Sequence, residues 1–386
     1  MASITDFSGG HSGRETQWML HFLISLTIVV VAGGYAVWQI MTLGHAAFNT
    51  TNAGIFWGLP IVLYDYFLLT STGLVMVAAI YHVLGVEAFR PVAKRCLGLA
   101  LAGLMGGVAV LFLELSNPLM ALWATPLNMQ TQSPLFWKIL LVGAYTVLLA
   151  IVLFNSIKQP TVRPNPLVWP LALLALAITL VAGSVYGMMA MRPMWFGGEI
   201  PVVFLIESLV GALAFTMVFS HLAHGFRHDR MSDELRWLFE GPLARLFGAL
   251  IVLHFLLHAG RAITGWWSNA EGLQVWDYML SGPLFYIGLG VCTLVPLVLM
   301  LLPATRSNGL AQVTSGLLVM IGLFIARYEF IIGGQQVPLF KGSWVQTQLI
   351  EYTPSLTEWA LLGLGIGIAN MVYGFAAWKL GGEDEA

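Results

Sequence analysis

The chain has 386 residues, of which 58% are hydrophobic and only 9% are charged. A soluble domain carries about 25% charged residues, so this composition excludes a soluble globular protein and indicates a membrane protein. The 17 basic and 19 acidic residues give a net charge of -2, which excludes a polybasic protein that binds nucleic acid. Cys96 and Cys292 lie far apart, and an iron–sulfur cluster needs more thiolates than these two, so we expect no cluster in this chain.

Ten apolar segments are long enough to cross the hydrocarbon core of a membrane, for which an α-helix needs about 20 residues. They cover residues 18–41, 57–83, 96–116, 134–157, 167–189, 200–220, 243–264, 284–302, 313–332 and 355–379. The polar N-terminal segment lacks the short apolar run and cleavage site of a signal peptide, so we expect the first span to remain in the mature protein. The predicted fold class is an all-α polytopic membrane protein with ten transmembrane helices.

The basic residues predict the orientation of the chain. Twelve of the 17 lie at the termini and in the even-numbered connections. By the positive-inside rule, both termini are therefore expected in the cytoplasm. Tryptophan shows the opposite bias toward the outer face, which indicates an aromatic belt or a docking surface for a partner.

Two carboxyl groups lie at membrane depth, where charged side chains are costly and by default mark a functional pathway. Asp65 lies about two turns below the outer end of the second span, and Glu207 lies equally far into the sixth. Neither has a basic residue within one turn, so each is expected as an isolated carboxyl group that exchanges protons. Glu114 lies near the outer end of the third span, where simple contact with the interface is an equally good explanation.

A second set of polar residues lies in the outer halves of later spans. His254, His258 and Arg261 follow i, i+4, i+7 spacing and share one face of the seventh span, and Arg327 lies in the ninth. The alternatives to a functional role are satisfied core histidines and buried structural ion pairs. The acidic residues considered as partners for the two arginines are Glu329, Asp277 and Glu271. No metal site is expected.

Histidines toward the cytoplasmic side leave a haem-binding alternative open. A b-type haem needs two histidines from facing helices at matched depth, which His21, His82 and His221 could in principle supply. Nothing in their spacing demands it, so we expect no haem, and a cytochrome b-type membrane subunit stays as an alternative. A secondary transporter is a further alternative, but transporter sites usually lie near the midplane at broken helices.

Six segments carry a resemblance to a known family. In chain order they are FWGLPIVLYDYFLLTSTGL, LELSNPLMALW, SPLFWKILLVGAY, GSVYGMMAMRPMWFGGEIPVVFLIESLVGALAF, ARYEFIIGGQQVP and YTPSLTEWALLGLGIGI. In this order and spacing they resemble the NrfD/PsrC family of quinone-reactive membrane subunits of bacterial respiratory complexes. The last two are similar to its ten-span branch, which includes membrane subunits of periplasmic hydrogenases, alternative complex III and sulfur-metabolism complexes.

The resemblance implies two four-helix bundles, formed by spans two to five and six to nine, with the first and last spans flanking them. The expected organisation is a cytoplasmic N-terminus (1–17), a flanking helix (18–41), the first bundle with the start of the second (42–220), a cytoplasmic connection (221–242), the rest of the second bundle (243–332), a periplasmic loop (333–354) and a flanking helix with a cytoplasmic tail (355–386).

The resemblance also implies a quinone site, for menaquinone or ubiquinone, in the outer half of the first bundle. Asp65 falls where the family has a polar residue that contacts quinone, although some members have a histidine there, and Tyr186 falls where it has a tyrosine near the outer end of its fourth core helix. Glu114 and Lys138 are weaker candidates for the same pocket. The implied partners are a ferredoxin-like iron–sulfur subunit on the periplasmic side and a catalytic redox subunit of molybdopterin, nickel–iron or multihaem type.

The function predicted from the sequence is that of a quinone-reactive membrane subunit, part of a multi-subunit oxidoreductase and not catalytic alone. Asp65 and Tyr186 are expected to bind the quinone head group and exchange its protons. Glu207 is a candidate for a proton route leading away from the site. His254, His258, Arg261 and Arg327 are candidates for a second polar path through the other bundle.

Overall fold

In a computed structural model of the protein, ten helices are long and apolar enough to cross a membrane, as the sequence predicts. The structure describes residues 5–50, 54–158, 162–268, 270, 272–339 and 348–380, and these hold no β-strand. The helices are α1 (Thr5–Leu43), α2 (Leu59–His82), α3 (Arg90–Glu114), α4 (Pro118–Asn128), α5 (Pro134–Ile157), α6 (Val168–Gly187), α7 (Ile200–Ala223), α8 (Asp233–Glu240), α9 (Pro242–Trp267), α10 (Val275–Ser281), α11 (Pro283–Leu301), α12 (Gly309–Gln336) and α13 (Leu356–Leu380).

The first and last spans run antiparallel to each other. His21 of α1 contacts the carbonyl oxygen of Asn370 in α13, and Leu364 lies against Gly33 further along α1. The chain therefore begins its first span and ends its last span on the same side, which we call the terminal face. The opposite side is the distal face. The distribution of basic residues predicts that the terminal face is cytoplasmic.

The spans form two bundles, as the family resemblance implies. Helices α2, α3, α5 and α6 pack around one another, and α7, α9, α11 and α12 form the second group. The two most enclosed spans, α2 and α7, pack against each other at the centre. Helices α1 and α13 pack together on the outside of the first bundle, against α3. The core therefore follows the α2–α7 contact, and polar groups on these two helices lie inside the protein.

Helix α11 departs from regular α-helical geometry. It forms a π-helix over Tyr286–Leu294, between α-helical turns at Pro283–Phe285 and Val295–Leu301. The Thr293 hydroxyl donates a hydrogen bond to the Gly288 carbonyl five residues earlier, at 3.0 Å. Pro296 has no N–H to continue the regular pattern. Sequence periodicity does not reveal this segment, and π-helical turns often occur at functional sites.

Two short helices, α4 and α10, lie outside the ten spans, and α8 leads directly into the seventh span; none of the three was predicted. Helix α4 exposes Leu119, Trp123 and Leu127, which are spaced i, i+4, i+8 and so share one face. An exposed apolar stripe with a tryptophan at the distal end of a span is typical of a helix at the membrane interface. Because these helices are too short to span, a search for long apolar segments passes over them.

Small residues set the distance between neighbouring spans. A β-carbon placed at Gly107 would lie 3.2 Å from Phe67 of α2, and one placed at Gly183 would lie 2.5 Å from Pro201 of α7. Small residues at such contacts let the backbones approach closely. Gly107 of α3 and Gly183 of α6 therefore serve helix packing.

The central α2–α7 contact yields a prediction about Gly73. A β-carbon at this position would lie 1.9 Å from the backbone carbonyl oxygen of Ser208. The variant Gly73→Ala must push α2 and α7 apart, and we expect it to destabilise the protein by about 1–3 kcal/mol. Thermal unfolding in detergent measures the change.

The matched control for this substitution is Gly98→Ala in α3, where a β-carbon would have no atom within 4 Å. Alanine favours a helix interior over glycine by roughly 0.5–1 kcal/mol, so this control should keep or slightly raise the unfolding temperature. Equal unfolding temperatures for Gly73→Ala and the wild type would contradict the close α2–α7 contact.

Candidate functional site

Three polar side chains meet inside the first bundle, and each comes from a different helix. Asp65 of α2 is the residue that the other two contact. The Lys138 ammonium of α5 donates to one carboxylate oxygen of Asp65 at 2.6 Å. The Tyr186 hydroxyl of α6 donates to the other oxygen at 2.5 Å. All three side chains are buried, in the distal half of their helices. These three residues are the Asp65 triad.

The charges of the triad balance, which makes its burial tolerable. A buried carboxylate is costly unless it is paired and hydrogen-bonded, and Lys138 and Tyr186 together meet both needs. The Lys138 ammonium also lies 4.9 Å from the centre of the Tyr64 ring. The expectation that Asp65 is isolated was wrong, because its basic partner comes from a different helix and not from the same turn.

Aromatic rings enclose the tyrosine of the triad. The Tyr186 ring meets Trp57, Trp195, Phe204 and Phe330 with centroid distances between 5.2 and 5.6 Å. Trp57 and Trp195 stack nearly parallel at 5.5 Å. These rings keep Tyr186 in one orientation and surround the triad with apolar, planar surface.

Two buried residues that the sequence did not single out hold this aromatic layer in place. The Gln335 side chain accepts from the backbone N–H of Trp57 at 3.0 Å and donates to its carbonyl at 2.9 Å. Arg192 donates to the carbonyl oxygens of Gln335, Val337 and Gly54. Both belong to segments that carry the family resemblance, but neither residue type nor spacing indicates a role in positioning the backbone.

A second polar cluster lies in the other bundle around Glu207 of α7. Its carboxylate contacts the ring nitrogen of His258 in α9 at 2.9 Å and the guanidinium of Arg327 in α12. The His254 ring lies 4.3 Å from that of His258, as their spacing predicts. Glu207, His254, His258 and Arg327 are the Glu207 cluster, and Glu207 is therefore not an isolated carboxyl group either.

The two arginines of this bundle do not form the ion pairs that were expected for them. The partner of Arg327 is Glu207, and neither Glu329 nor Asp277 bridges it in the described part of the chain. The other acidic residue considered, Glu271, lies outside the described residues. Arg261 donates to the backbone carbonyl of Met194 at 2.7 Å and lies over the Phe330 ring. It therefore ties α9 to the distal loop beside the cluster.

Two phenyl rings lie between the clusters. The Arg327 guanidinium carbon is 3.8 Å from the centre of the Phe204 ring and 5.7 Å from that of Phe330. Both rings also contact Tyr186 on the side of the triad. The two bundles thus bring separate polar clusters into contact with one shared aromatic layer.

Comparison with known families decides the relationship. The family model described as polysulphide reductase, NrfD, matches residues 47–338. The chain belongs to the NrfD family. It is 25% identical to a selenate reductase subunit of Mesobacillus selenatarsenatis over 92% of each chain. It is 22% identical to the Hdr-like menaquinol oxidoreductase integral membrane subunit of Archaeoglobus fulgidus, over 91% of this chain and 89% of that relative.

A shorter similarity points to the same group. The chain is 26% identical to the integral membrane subunit of menaquinone reductase from Nitratidesulfovibrio vulgaris, over 45% of this chain and 33% of that relative. With ten candidate spans, this NrfD-family chain is a multi-pass integral membrane protein.

Glu114 stands apart from the Asp65 triad in this NrfD-family chain. It is the last residue of α3. Another acidic residue, Glu358, lies at the start of α13. Glu358 is fully buried, accepts from the backbone of Ser355, and receives a hydrogen bond from Tyr352. Burial, followed by the adjacent Glu358 carboxylate, raises the pKa of Tyr352 well above its usual range, so Tyr352 stays a donor.

Glu358 could have been found from the sequence. Ser355 and Glu358 have the S-x-x-E spacing of a capping box, and each accepts a hydrogen bond from the backbone N–H of the other. The carboxylate also accepts from the backbone N–H of Asn49, which fixes the start of α13 to the loop after α1. The signal lies inside one of the segments that carry the family resemblance.

The histidines considered for haem each have their own partner. His21 contacts the Asn370 carbonyl, His82 accepts from the Asn165 N–H at 3.3 Å, and His221 contacts the Gln312 side chain at 2.8 Å. The three rings thus contact three separate parts of the chain: α13 for His21, the loop before α6 for His82 and α12 for His221.

The Glu207 cluster has donor atoms of the kind that hold metal ions. One ligand atom each from Glu207, His254 and His258 lies within 4.8 Å of the others. The guanidinium of Arg327, however, already neutralises Glu207 at that point. A metal cation there would meet a fixed positive charge, so these residues suit proton exchange better than metal binding.

Proposed function

We propose that this chain is the quinone-reactive membrane subunit of a multi-subunit respiratory oxidoreductase. The observation that carries the proposal is the Asp65 triad, a buried set of proton donors and an acceptor from three helices. Two relatives are named as menaquinone or menaquinol membrane subunits, which favours menaquinone over ubiquinone as the substrate.

The side chains of the triad suit a quinone head group. A quinone ring is planar, and its two oxygens accept hydrogen bonds and take up protons together with electrons. Lys138 and Tyr186 are the donors that would hold such oxygens, and Asp65 is the group that would accept a proton. The stacked pair Trp57 and Trp195 offers apolar planar surface beside them.

Electrons would leave or enter through a partner at the distal face. Cys96 and Cys292 are both buried and lie on different helices, so the proposal assigns the clusters to a ferredoxin-like iron–sulfur subunit. The triad lies in the distal half, and exposed Met191, Trp266 and Trp267 near that face offer apolar surface for contact. The catalytic subunit beyond it would carry molybdopterin, nickel–iron or multihaem chemistry.

The Glu207 cluster would conduct protons between the triad and the second bundle. Glu207 and His258 are hydrogen-bonded, and both exchange protons readily in suitable surroundings. In this orientation the distal face is periplasmic and both termini are cytoplasmic, in the bacterial inner membrane.

The test of the proposal is isolation of the complex from its native membrane through a tag on this chain. We expect an iron–sulfur subunit and a catalytic redox subunit to copurify, and the preparation to react with a menaquinol analogue. Isolation of the chain alone, without any redox subunit, would count against the proposal.

The hydroxyl of Tyr186 gives a second prediction. The variant Tyr186→Phe keeps the ring within its aromatic cluster and removes only the hydrogen bond to Asp65. We expect quinol turnover of the complex to fall at least about tenfold, since a net hydrogen bond to a charged group contributes about 1.5–3 kcal/mol.

The matched control is Tyr145→Phe, two turns further along α5 from Lys138. Tyr145 is equally buried, and its hydroxyl donates to the backbone of Ser71 rather than to the triad. The Tyr145→Phe variant should lose about as much stability as Tyr186→Phe, but it should retain quinol turnover. Similar turnover losses in both variants would show that the effect is general and not specific to the triad.

A further inference from the structure

The distal end of α12, a helix of the second bundle, holds the chain that leads into α2 of the first. The side-chain oxygen of Gln335 accepts from the backbone N–H groups of Phe56 and Trp57 at 2.9 and 3.0 Å. Its side-chain nitrogen donates to the carbonyl oxygens of Trp57 at 2.9 Å and Ile331 at 3.0 Å. A glutamine amide can accept two hydrogen bonds and donate two, so every position on this side chain is filled.

This position requires an amide at the end of a long side chain. Gln335 is 1% exposed, and a buried peptide group without a hydrogen bond is costly. Trp57 precedes α2, which begins at Leu59, so its N–H and C=O depend on a partner outside that helix. Asparagine is one methylene shorter. Methionine has the length, but it has no N–H donor and only a weak acceptor.

The same end of α12 also positions the ring on which Trp57 stacks. The Trp195 indole donates to the Phe330 carbonyl oxygen of α12 at 2.6 Å. A β-carbon at Gly334 would lie 1.9 Å from Nε1 of that indole, so Trp195 lies directly on the backbone of α12. The planes of Trp57 and Trp195 differ by 21°. Both indoles are therefore fixed to one helix end.

Arg192 adds a second attachment for the segment before α2. Its guanidinium donates to the carbonyl oxygens of Gln335 and Val337 at 3.0 and 2.7 Å, and to that of Gly54 at 3.2 Å. A cation at the carbonyl end of a helix is favourable. Gly54 has a φ of 151°, which glycine adopts readily and other residues do not. The backbone that carries Trp57 is thus held both at Gly54 and at Trp57 itself.

We propose that Gln335 is a positioning residue of the quinone site: it sets the plane of the Trp57 indole, on which the two-ring head group of a naphthoquinone stacks. The inference rests on the proposed function, which assigns the quinone to the Asp65 triad. Trp57 is half-buried, and its ring lies 5.5 Å from that of Tyr186, so a planar ring held by the triad would lie within reach of the indole. Fused rings offer more area for stacking than a single ring, so a displaced indole weakens the binding of a naphthoquinone more than that of a benzoquinone.

The competing explanation is that Gln335 only anchors a loop. In that case its loss should destabilise the protein and affect every quinol alike. An anchor alone gives no reason for the anchored residue to be a half-buried tryptophan in contact with the Tyr186 ring. The two explanations differ in whether the KM for one quinol changes more than the KM for another.

The experiment measures kcat and KM of the intact complex with a dye as electron acceptor and two quinols without tails, menadiol with two fused rings and duroquinol with one. We expect Gln335→Met to raise the KM for menadiol about three- to tenfold, the range for loss of one aromatic contact. The KM for duroquinol should rise less than about twofold, and kcat should stay within about twofold because the triad is intact. Trp57→Leu removes the indole directly and should give the same result, so the test does not depend on the folding of Gln335→Met.

The matched control is Gln312→Met, which removes a fully buried glutamine from the other end of α12. Its side chain contacts His221 and the Arg306 carbonyl oxygen, so both KM values should stay within about twofold. A ratio of the two KM values that is unchanged in Gln335→Met or Trp57→Leu, or that shifts equally in the control, would overturn the inference. A wild-type complex that reacts with neither quinol would instead overturn the proposed function, and this result is visible before any variant is compared.

Discussion

The variant Asp65→Asn is expected to lower quinol turnover of the assembled complex by about 10²–10⁴-fold, the range that a general base contributes. Asparagine retains the shape of the side chain and its contact with Tyr186, but it cannot take up a proton. It also leaves the Lys138 ammonium buried without its counter-charge. Turnover is measured with a menaquinol analogue and a dye electron acceptor.

The loss of charge balance requires a control for folding. Removal of one partner from a buried pair costs about 3–5 kcal/mol, whereas removal of both partners is often neutral. The double variant Asp65→Asn/Lys138→Met should therefore recover the unfolding temperature without recovering turnover. Asp277→Asn, which changes an exposed carboxylate near the distal face, should leave both quantities unchanged. Full turnover in Asp65→Asn would refute the role of the triad.

The variant Arg327→Met is expected to have the largest effect on stability. Arg327 is buried, pairs with Glu207 and lies over the Phe204 ring. Its removal leaves the Glu207 carboxylate in an apolar interior with only the neighbouring histidines as partners. We expect a loss of about 3–5 kcal/mol in the free energy of unfolding, seen as a lower unfolding temperature in detergent.

The companion variant for this prediction removes both charges. Methionine and glutamine together keep the volume of the pair, so Arg327→Met/Glu207→Gln should recover much of the stability. Thermal unfolding of the two variants side by side distinguishes charge from packing. An Arg327→Met protein as stable as the wild type would mean that Glu207 is neutral in the folded protein.

The sequence predicted the ten spans and the depth of the polar groups well. Hydropathy gives the length of each apolar segment. The position of Asp65 or Glu207 along its segment then gives the distance of the residue from the end of the span. The predicted association of Asp65 with Tyr186 came from the family resemblance and fits the observed contact. Periodicity also placed His254 and His258 correctly on one face.

The sequence did not predict which side chains pair between helices. Depth does not reveal the direction in which a side chain points around its helix. Lys138 was therefore placed among the weaker candidates for the pocket of Asp65, and its direct pairing with Asp65 across 73 residues was not predicted. For the same reason Arg327 was matched with nearby acidic residues rather than with Glu207, which lies 120 residues away. The π-helix of α11 was missed because it arises from backbone geometry and not from composition.

The shared rings of Phe204 and Phe330 have a thermodynamic consequence for the two bundles. Each ring contacts both Tyr186 and Arg327. A free energy of coupling between two sites is reciprocal. If a change at the Asp65 triad alters the free energy of the Glu207 cluster, then a change at the Glu207 cluster must alter the free energy of the triad by the same amount. Mutations in the second bundle should therefore alter quinone affinity in the first, even though no polar contact crosses between them at these rings.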